Sequence, residues 1–172
     1  GNARYEKGKC SLNESEHYLI IPSFSPENKP FGYHSAITAN AAMDISAAKD
    51  VINMYTEMLN YTKVDGYEQA VSEAEALLRL LPDFMYDESG AVKEWSMKEY
   101  GENNAHRHIS HLYPAWPALQ TQHDSKLASA CRQAIINRNH ENKGKDDTAS
   151  HGWIHKALVE ARLKNADAVY DT

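Results

Sequence analysis

Apolar residues recur at spacings of three and four in four stretches of the chain, and each stretch predicts an amphipathic helix. The first runs from about Ala41 to Leu59, with Ala48, Val51, Ile52, Tyr55, Met58 and Leu59 on one face. Asn40 is placed as its N-cap, and Asp44 stands in the first turn, where a carboxylate suits the helix dipole. The second runs from about Gly66 to Leu81 and carries Tyr67, Ala70, Val71, Ala74, Leu77, Leu78 and Leu81. Asp65 and Glu68 have the spacing of a capping box, and Pro82 ends the helix. The short connection between the two predicts an αα-hairpin. Two further helices are expected, from about Ser125 to Arg138 and from about Gly152 to Lys164, with Ser150 as a cap for the latter. Leu127, Ala130, Cys131, Ala134 and Ile135 line the first of these, and Ile154, Ala157, Leu158 and Ala161 the second.

Between the helices the pattern changes. His17 to Ile21 reads as a short buried strand, and Pro22, Pro26 and Pro30 punctuate the loop after it. The turn Asp87-Glu88-Ser89-Gly90 separates Phe84-Met85-Tyr86 from Ala91 to Trp95, which predicts a small hairpin. Tyr100 to Leu119 and Asn139 to Asp147 are polar and read as loops. The fold class expected is all-α, with long polar loops and a short β-hairpin.

The length of 172 residues predicts one domain, residues 1–172. A formal net charge of -6 argues against a general nucleic-acid binder, which needs a basic face. No apolar run approaches the roughly 20 residues of a membrane span. Cys10 and Cys131 are too few for a disulfide scaffold or a cysteine-based zinc site, and both read as free thiols. The 10 tyrosines outnumber the 3 phenylalanines, beside nine histidines and three tryptophans, so half-apolar, half-wet surfaces are expected. The mean hydropathy of -0.65 fits a small polar domain, or a piece of a larger domain whose core continues elsewhere.

The chemistry-bearing residues lie in the loops and at a helix start. His106, His108 and His111 have a spacing that could bind zinc through imidazole nitrogens, or could simply belong to a polar loop. Arg107 among them disfavours a cation and suits hydroxyl or carboxylate recognition. Glu94 beside Trp95, Ala91 and Val92 is either a desolvated carboxyl with a raised pKa, fit to be a general acid, or a surface carboxylate next to a buried indole. His151 and His155 lie one helical turn apart, with Arg162 near the same face and Trp153 nearby. They face either a pocket or solvent. Glu27 sits in a turn-forming loop, and Asp146-Asp147 reads as solvated. Cys131, inside an apolar stripe, reads as core. No phosphate loop, nucleophile elbow or dinucleotide fingerprint is present.

Several of these segments, in this order, resemble the catalytic domain of glycoside hydrolase family 95, the inverting α-L-fucosidases. Ser23-Phe24-Ser25-Pro26-Glu27-Asn28 is similar to that family's P-S-x-S-P-E-N loop, Met43-Asp44 to its M-D, and Glu94-Trp95 to its E-W. His106-Arg107-His108-Ile109-Ser110-His111-Leu112-Tyr113 resembles its H-R-H-x-S-H-L-Y stretch, followed by Pro117. Gly152-Trp153 and Ala161-Arg162-Leu163 resemble its G-W and A-R-L. The likeness spans about Pro22 to Ala168. The chain departs from the pattern at Ile154-His155-Lys156-Ala157, at Lys98 where an Asp is expected, and at Arg138-Asn139 where the family has R-G.

The resemblance implies a helical (α/α)6 barrel, or toroid, of which this chain would be a fragment. It implies hydrolysis of terminal α-L-fucosyl or closely similar α-L-galactosyl residues of glycans, by inversion and without metal or other cofactor. Glu94 would be the general acid. Arg107 and His108 would contact the sugar and Glu27 would lie near the pocket, with Trp95, His111 and Trp153 as further substrate contacts. The base would lie outside the chain, so that half of the pair an inverting glycosidase needs is missing and the isolated chain is expected to be inactive. The rival expectation is a non-catalytic sugar-binding helical domain that uses Trp95, Trp153, Arg107 and the histidines. The partner expected is a glycan, with neither nucleic acid nor membrane. An exposed half-barrel core favours self-association. The parent protein is expected in the periplasm or outside the cell.

Overall fold

A computed structural model describes residues 4–6, 9–11, 17–143, 146 and 149–172. Asp147 and most of the polar segment Asn13 to Tyr18 lie outside the described residues, as does the side chain of Cys10. Among the described residues the fold is mainly helical: α1 Ala42–Thr62, α2 Tyr67–Leu80, α3 Ser125–Glu141, α4 Ser150–Arg162 and a short α5 Ala166–Asp171. Two small antiparallel pairs accompany them. β1 (Arg4–Glu6) pairs with β2 (Lys9–Ser11), and β3 (Ser23–Phe24) pairs with β4 (Ile37–Thr38). The described helices do not close into a barrel.

All four predicted helices form, but their caps differ from expectation. Asn40 is not the N-cap of α1; Ala41 is, with no side-chain cap bond. Asn40 instead takes a left-handed φ of 52°, and its Oδ1 accepts the Ile20 N–H at 2.8 Å. Its backbone N–H donates to the Ile20 carbonyl, so Asn40 ties the N-terminal segment to the start of α1. The Asp65–Glu68 capping box does not form, because Gly66 occupies the N-cap position in the left-handed region at φ 80°. Ala149, not Ser150, precedes α4. By contrast Asp124 caps α3 through the Leu127 N–H, and Asn165 caps α5 through the Ala168 N–H.

His17 to Ile21 forms no strand and is not fully buried, with Ile21 53% exposed; single bonds, such as Tyr18 N–H to the Leu80 carbonyl, hold it in place. The segment Phe84 to Trp95 folds back as predicted through a bridge between Tyr86 and Val92. Asp87 Oδ1 closes its turn by accepting from Ser89 and Ala91, and Gly90 takes the left-handed φ of 82° that the turn needs.

The core lies between α3, α4, the hairpin residues Ala91 and Val92, and the later segment that carries Ile109, Leu112 and Ala115. The apolar stripe of α3 fills it as its spacing predicts, and Cys131 is buried there as a thiol whose pKa burial pushes up to about 12. α1 packs against α2, but most of its predicted apolar face is not core. Of that stripe Val51, Tyr55 and Met58 point to solvent, as does the neighbouring Met54, and Leu59 is buried. No described helix is long and apolar enough to cross a membrane.

Candidate active site

Glu94 lies at the centre of a buried polar knot. The loop Ser25–Asn28 leaves β3 and folds beneath it, and the hairpin that ends at Trp95 brings Glu94 to the start of α1. There its carbonyl accepts the Ala42 N–H. The Glu94 side chain is 0% exposed. Its Oε1 accepts the Ser25 hydroxyl at 2.6 Å, and its Oε2 accepts Asn28 Nδ2 at 2.7 Å and Arg138 Nη2 at 2.6 Å. The His111 Nδ1 stands 4.0 Å from Oε2 and 3.4 Å from Arg138 Nη2.

This environment corrects the expected protonation state. Burial does push the Glu94 carboxyl upward, as the apolar neighbours suggested. The Arg138 guanidinium, His111 and the Ser25 hydroxyl outweigh it and hold the pKa below its ordinary value. Glu94 is therefore ionised at neutral pH in this arrangement. The raised carboxyl next to Glu94 is Glu102, which burial and the neighbouring Glu94 charge push up to about 7. Its Oε2 accepts the Glu94 N–H at 2.8 Å, while its buried Oε1 has no partner. Burial also lowers His111, to about 4, so this imidazole is neutral.

Above the knot is a cavity of about 280 Å³. Met43, Tyr113, Trp116 and Pro117 give it an apolar wall, and Ser110, His108, His151 and His155 supply polar atoms. The rings form a chain: His108 and His151 are 5.1 Å apart by centroid, His151 and His155 6.0 Å, and His155 and Trp116 5.1 Å. Burial lowers His108, with the Arg107 charge adding to it, so it meets a ligand as a neutral imidazole able to accept as well as donate. The pocket reading of His151 and His155 agrees with their place here, whereas Arg162 lies elsewhere, with its carbonyl bonded to Gln122.

The expected site residues divide. Arg107, which precedes the lining residue His108, bridges two carboxylates: its Nη2 is 2.5 Å from Glu27 Oε2, and its Nη1 is 3.3 Å from Asp146 Oδ2. Asp146 also accepts the Arg107 N–H at 2.8 Å, so it is a structural anchor and not a merely solvated acid. Glu27 is 63% exposed by side chain and lies 3.6 Å from His108 Nε2. Of the expected substrate contacts His108 lines the cavity; Arg107, Glu27, Trp95, His111 and Trp153 do not. Trp95 is 0% exposed and packs edge-on to Tyr100, which fixes the loop rather than offering a face to a ligand. His111 is buried on the Glu94–Arg138 pair. Trp153 is 47% exposed, with Lys156 Nζ over its ring.

The three histidines of the H-x-H-x-x-H run do not converge. His111 turns inward, while His106 Nδ1 accepts the His108 N–H at 3.1 Å. Among the described residues no group of three or more His, Cys, Asp or Glu side chains gathers as metal ligands would.

Sequence reasoning missed Arg138, Asn28, Glu102 and the two serines. Arg138 had a signal: it follows Leu127, Cys131, Ala134 and Ile135 at helical spacing, so it extends a buried stripe with a charge. Such a charge needs a buried partner, and Glu94 is that partner. Ser25 and Asn28 meet Glu94 from 69 and 66 residues away, and nothing local announces contacts of that kind.

The family profile described as the Glycosyl hydrolase family 95 catalytic domain matches residues 6–172. A relative, Alpha-L-fucosidase 2 of Arabidopsis thaliana, is 26% identical over 156 residues, which cover 87% of this chain. Those residues amount to 17% of the plant protein, so the chain spans about a sixth of its length.

Proposed function

The chain belongs to glycosyl hydrolase family 95, and we propose that it is the part of a longer α-L-fucosidase-like enzyme that holds the proton-handling carboxylate. The carrying observation is the pairing of a sugar-sized cavity with the buried Glu94 directly behind its Ser110 wall. A pyranose presents an apolar C–H face and a polar hydroxyl rim. Trp116, Met43 and Pro117 suit the first; His108, His151 and His155 suit the second. In this reading Arg107 and Glu27 border the bound sugar, Glu94 must take up a proton against the pull of Arg138 before it can protonate the departing oxygen, and the reaction is a single displacement with inversion.

Among the described residues, none that lines the cavity is a carboxylate. An inverting glycosidase needs a second carboxyl group roughly 6.5–9.5 Å from the first, with the attacking water between them. The water-activating group therefore comes from another part of the longer protein. The solvent-facing stripe Val51, Met54, Tyr55 and Met58 is the face on which further barrel helices would pack. The isolated chain would then bind sugar without turning it over, which is the content of the non-catalytic reading.

The test compares the longer protein with its Glu94→Gln variant on α-L-fucosyl and α-L-galactosyl glycans. The outcome expected is release of free sugar by the former and its loss in the latter. Failure of the unaltered protein to release either sugar overturns the proposal.

A further inference from the structure

We infer that a basic groove at the C-terminal end of α4 binds sulfate-ester groups of the glycan, so that the substrate class is an anionic, fucose-bearing glycan. The choice of a glycan as the bearer of the anion rests on the glycosidase reading above; the groove does not. It has a volume of about 370 Å³ and shares no lining residue with the histidine-lined cavity. Three cationic side chains line it: Arg132 from α3, Arg162 from the last turn of α4 and Lys164 from the turn that follows. The Ser125 hydroxyl adds a donor at the start of α3. Among the described residues, no carboxylate lines the groove. Positive charge is thus gathered locally on a chain whose formal net charge is -6.

Hydrogen bonds tie the walls of the groove together. Arg132 Nη2 donates to the Leu163 carbonyl at 2.7 Å, and Gln122 Nε2 donates to the Arg162 carbonyl at 2.8 Å. These bonds engage two carbonyls at the end of α4 that would otherwise repel an anion. Lys164 takes a left-handed φ of 60° and turns the chain there. The side chains of Arg162 and Lys164 make no ion pair among the described residues. Two acids adjoining the groove have other partners. Glu160 Oε2 accepts Asn165 Nδ2 at 2.9 Å, and Asp124 Oδ1 accepts the Leu127 N–H at 2.9 Å.

The chemistry of the lining selects the ligand. Guanidinium groups present a planar fork that matches the oxygens of a tetrahedral oxyanion. A nucleic acid would need an extended basic face, and this is one groove on an acidic chain. Its volume exceeds what a lone ion fills and leaves room for the sugar ring that bears the ester. The position fits the same conclusion. Arg162 follows the cavity residue His155 by two helical turns on one face of α4, an axial rise of about 10 Å. An oligosaccharide is long enough to span that rise.

The test uses the longer protein and measures binding by calorimetry. The probes are a sulfated fucan, the same fucan after chemical desulfation, and inorganic phosphate, each at low and high ionic strength. The sulfated fucan is expected to bind about tenfold or more tightly than its desulfated form, the scale of hydrogen bonds to charged groups. High salt should shrink that advantage. Arg162→Gln together with Lys164→Gln should remove most of it and leave release of fucose from an uncharged disaccharide unchanged. Lys63→Gln together with Lys98→Gln removes the same charge from exposed positions outside the groove and should bind as the unaltered protein does. Equal weakening by both pairs makes the effect one of overall charge and overturns the inference. Equal binding of the two fucans overturns it as well, and phosphate binding without a preference between them makes the groove a site for a free ion. Those results leave the glycosidase reading standing. A protein that prefers the sulfated fucan through Arg162 and Lys164 but releases no fucose from any glycan overturns that reading and keeps the groove.

Discussion

Arg138, near the end of α3, reaches across the core to Glu94 at 2.6 Å, and neither side chain has any solvent exposure. The pair joins helix α3 to the hairpin that ends at Trp95. Because both charges are buried, each is the condition for the other's presence. A lone carboxylate here would have to be neutralised or hydrated, and a lone guanidinium would have to open the core.

Removing one partner should therefore cost more than the pair itself contributes. Arg138→Met is expected to destabilise the fold by roughly 3–5 kcal/mol, because it leaves Glu94 buried without its counter-charge. The double variant Arg138→Met with Glu94→Gln should recover much of that loss. Urea unfolding of the single and double variants measures the difference. If the losses simply add, the two residues are not coupled as their geometry requires.

Two neighbours of this pair should oppose each other as the pH changes. The folded pKa of His111, about 4, lies below its ordinary 6.5. Between those values the unfolded chain binds the extra proton, so stability rises with pH. The folded pKa of Glu102, about 7, lies above its ordinary 4.5. There the folded chain binds the extra proton, so stability falls as pH rises. Each slope is at most about 1.4 kcal/mol per pH unit, and over the shared range the two largely cancel. Glu102→Gln removes the falling limb, so its stability should rise between about pH 4.5 and 6.5. Thermal unfolding across that range checks it. A variant with the same flat profile as the unaltered chain would show that Glu102 does not titrate there.

Much of the scaffold is legible in the residue pattern, while its outer surfaces are not. The stripe Leu127, Ala130, Cys131, Ala134 and Ile135 predicts a buried helical face, and the core contains all five. The stripe on α1 is as regular, yet Val51, Tyr55 and Met58 face solvent. Periodicity shows that a helix has an apolar face; it does not show what covers that face. Caps fail for a related reason. Asn40 has the right residue type, but its side chain satisfies Ile20 instead, a partner 20 residues away. At the site, Glu94, Arg107 and His108 stand out by their motifs. Ser25, Asn28 and Arg138 acquire their roles only when three distant segments meet around one carboxylate.

The bridge from Arg107 to Glu27 and Asp146 predicts a separation of stability from binding. Its members are partly or largely exposed, and ion pairs of that kind contribute roughly 0–1 kcal/mol. Arg107→Ala should thus unfold within about 1 kcal/mol of the unaltered protein. It should raise KM for a fucoside, because the guanidinium fork that holds Glu27 beside His108 is lost while Glu94 is untouched. Unfolding curves and steady-state kinetics together check the split. A large stability loss with unchanged KM would make Arg107 a structural clasp.

Tryptophan fluorescence can locate the sugar directly, because the three indoles occupy different surroundings. Trp116 lines the cavity and stacks near His155, Trp95 is sealed in the core, and Trp153 is half exposed away from the cavity. A sugar seated on the apolar wall would shed water from Trp116 alone. Adding L-fucose to the protein should shift and change its emission. Trp116→Phe should abolish that change, and Trp153→Phe should preserve it. Trp116 also packs against the core, so a melting curve of Trp116→Phe must accompany the titration. If the variant is folded and the response persists, the sugar does not lie against this wall. If Trp153→Phe removes the response instead, the exposed face of α4 is the binding surface, and the cavity over Glu94 has another use.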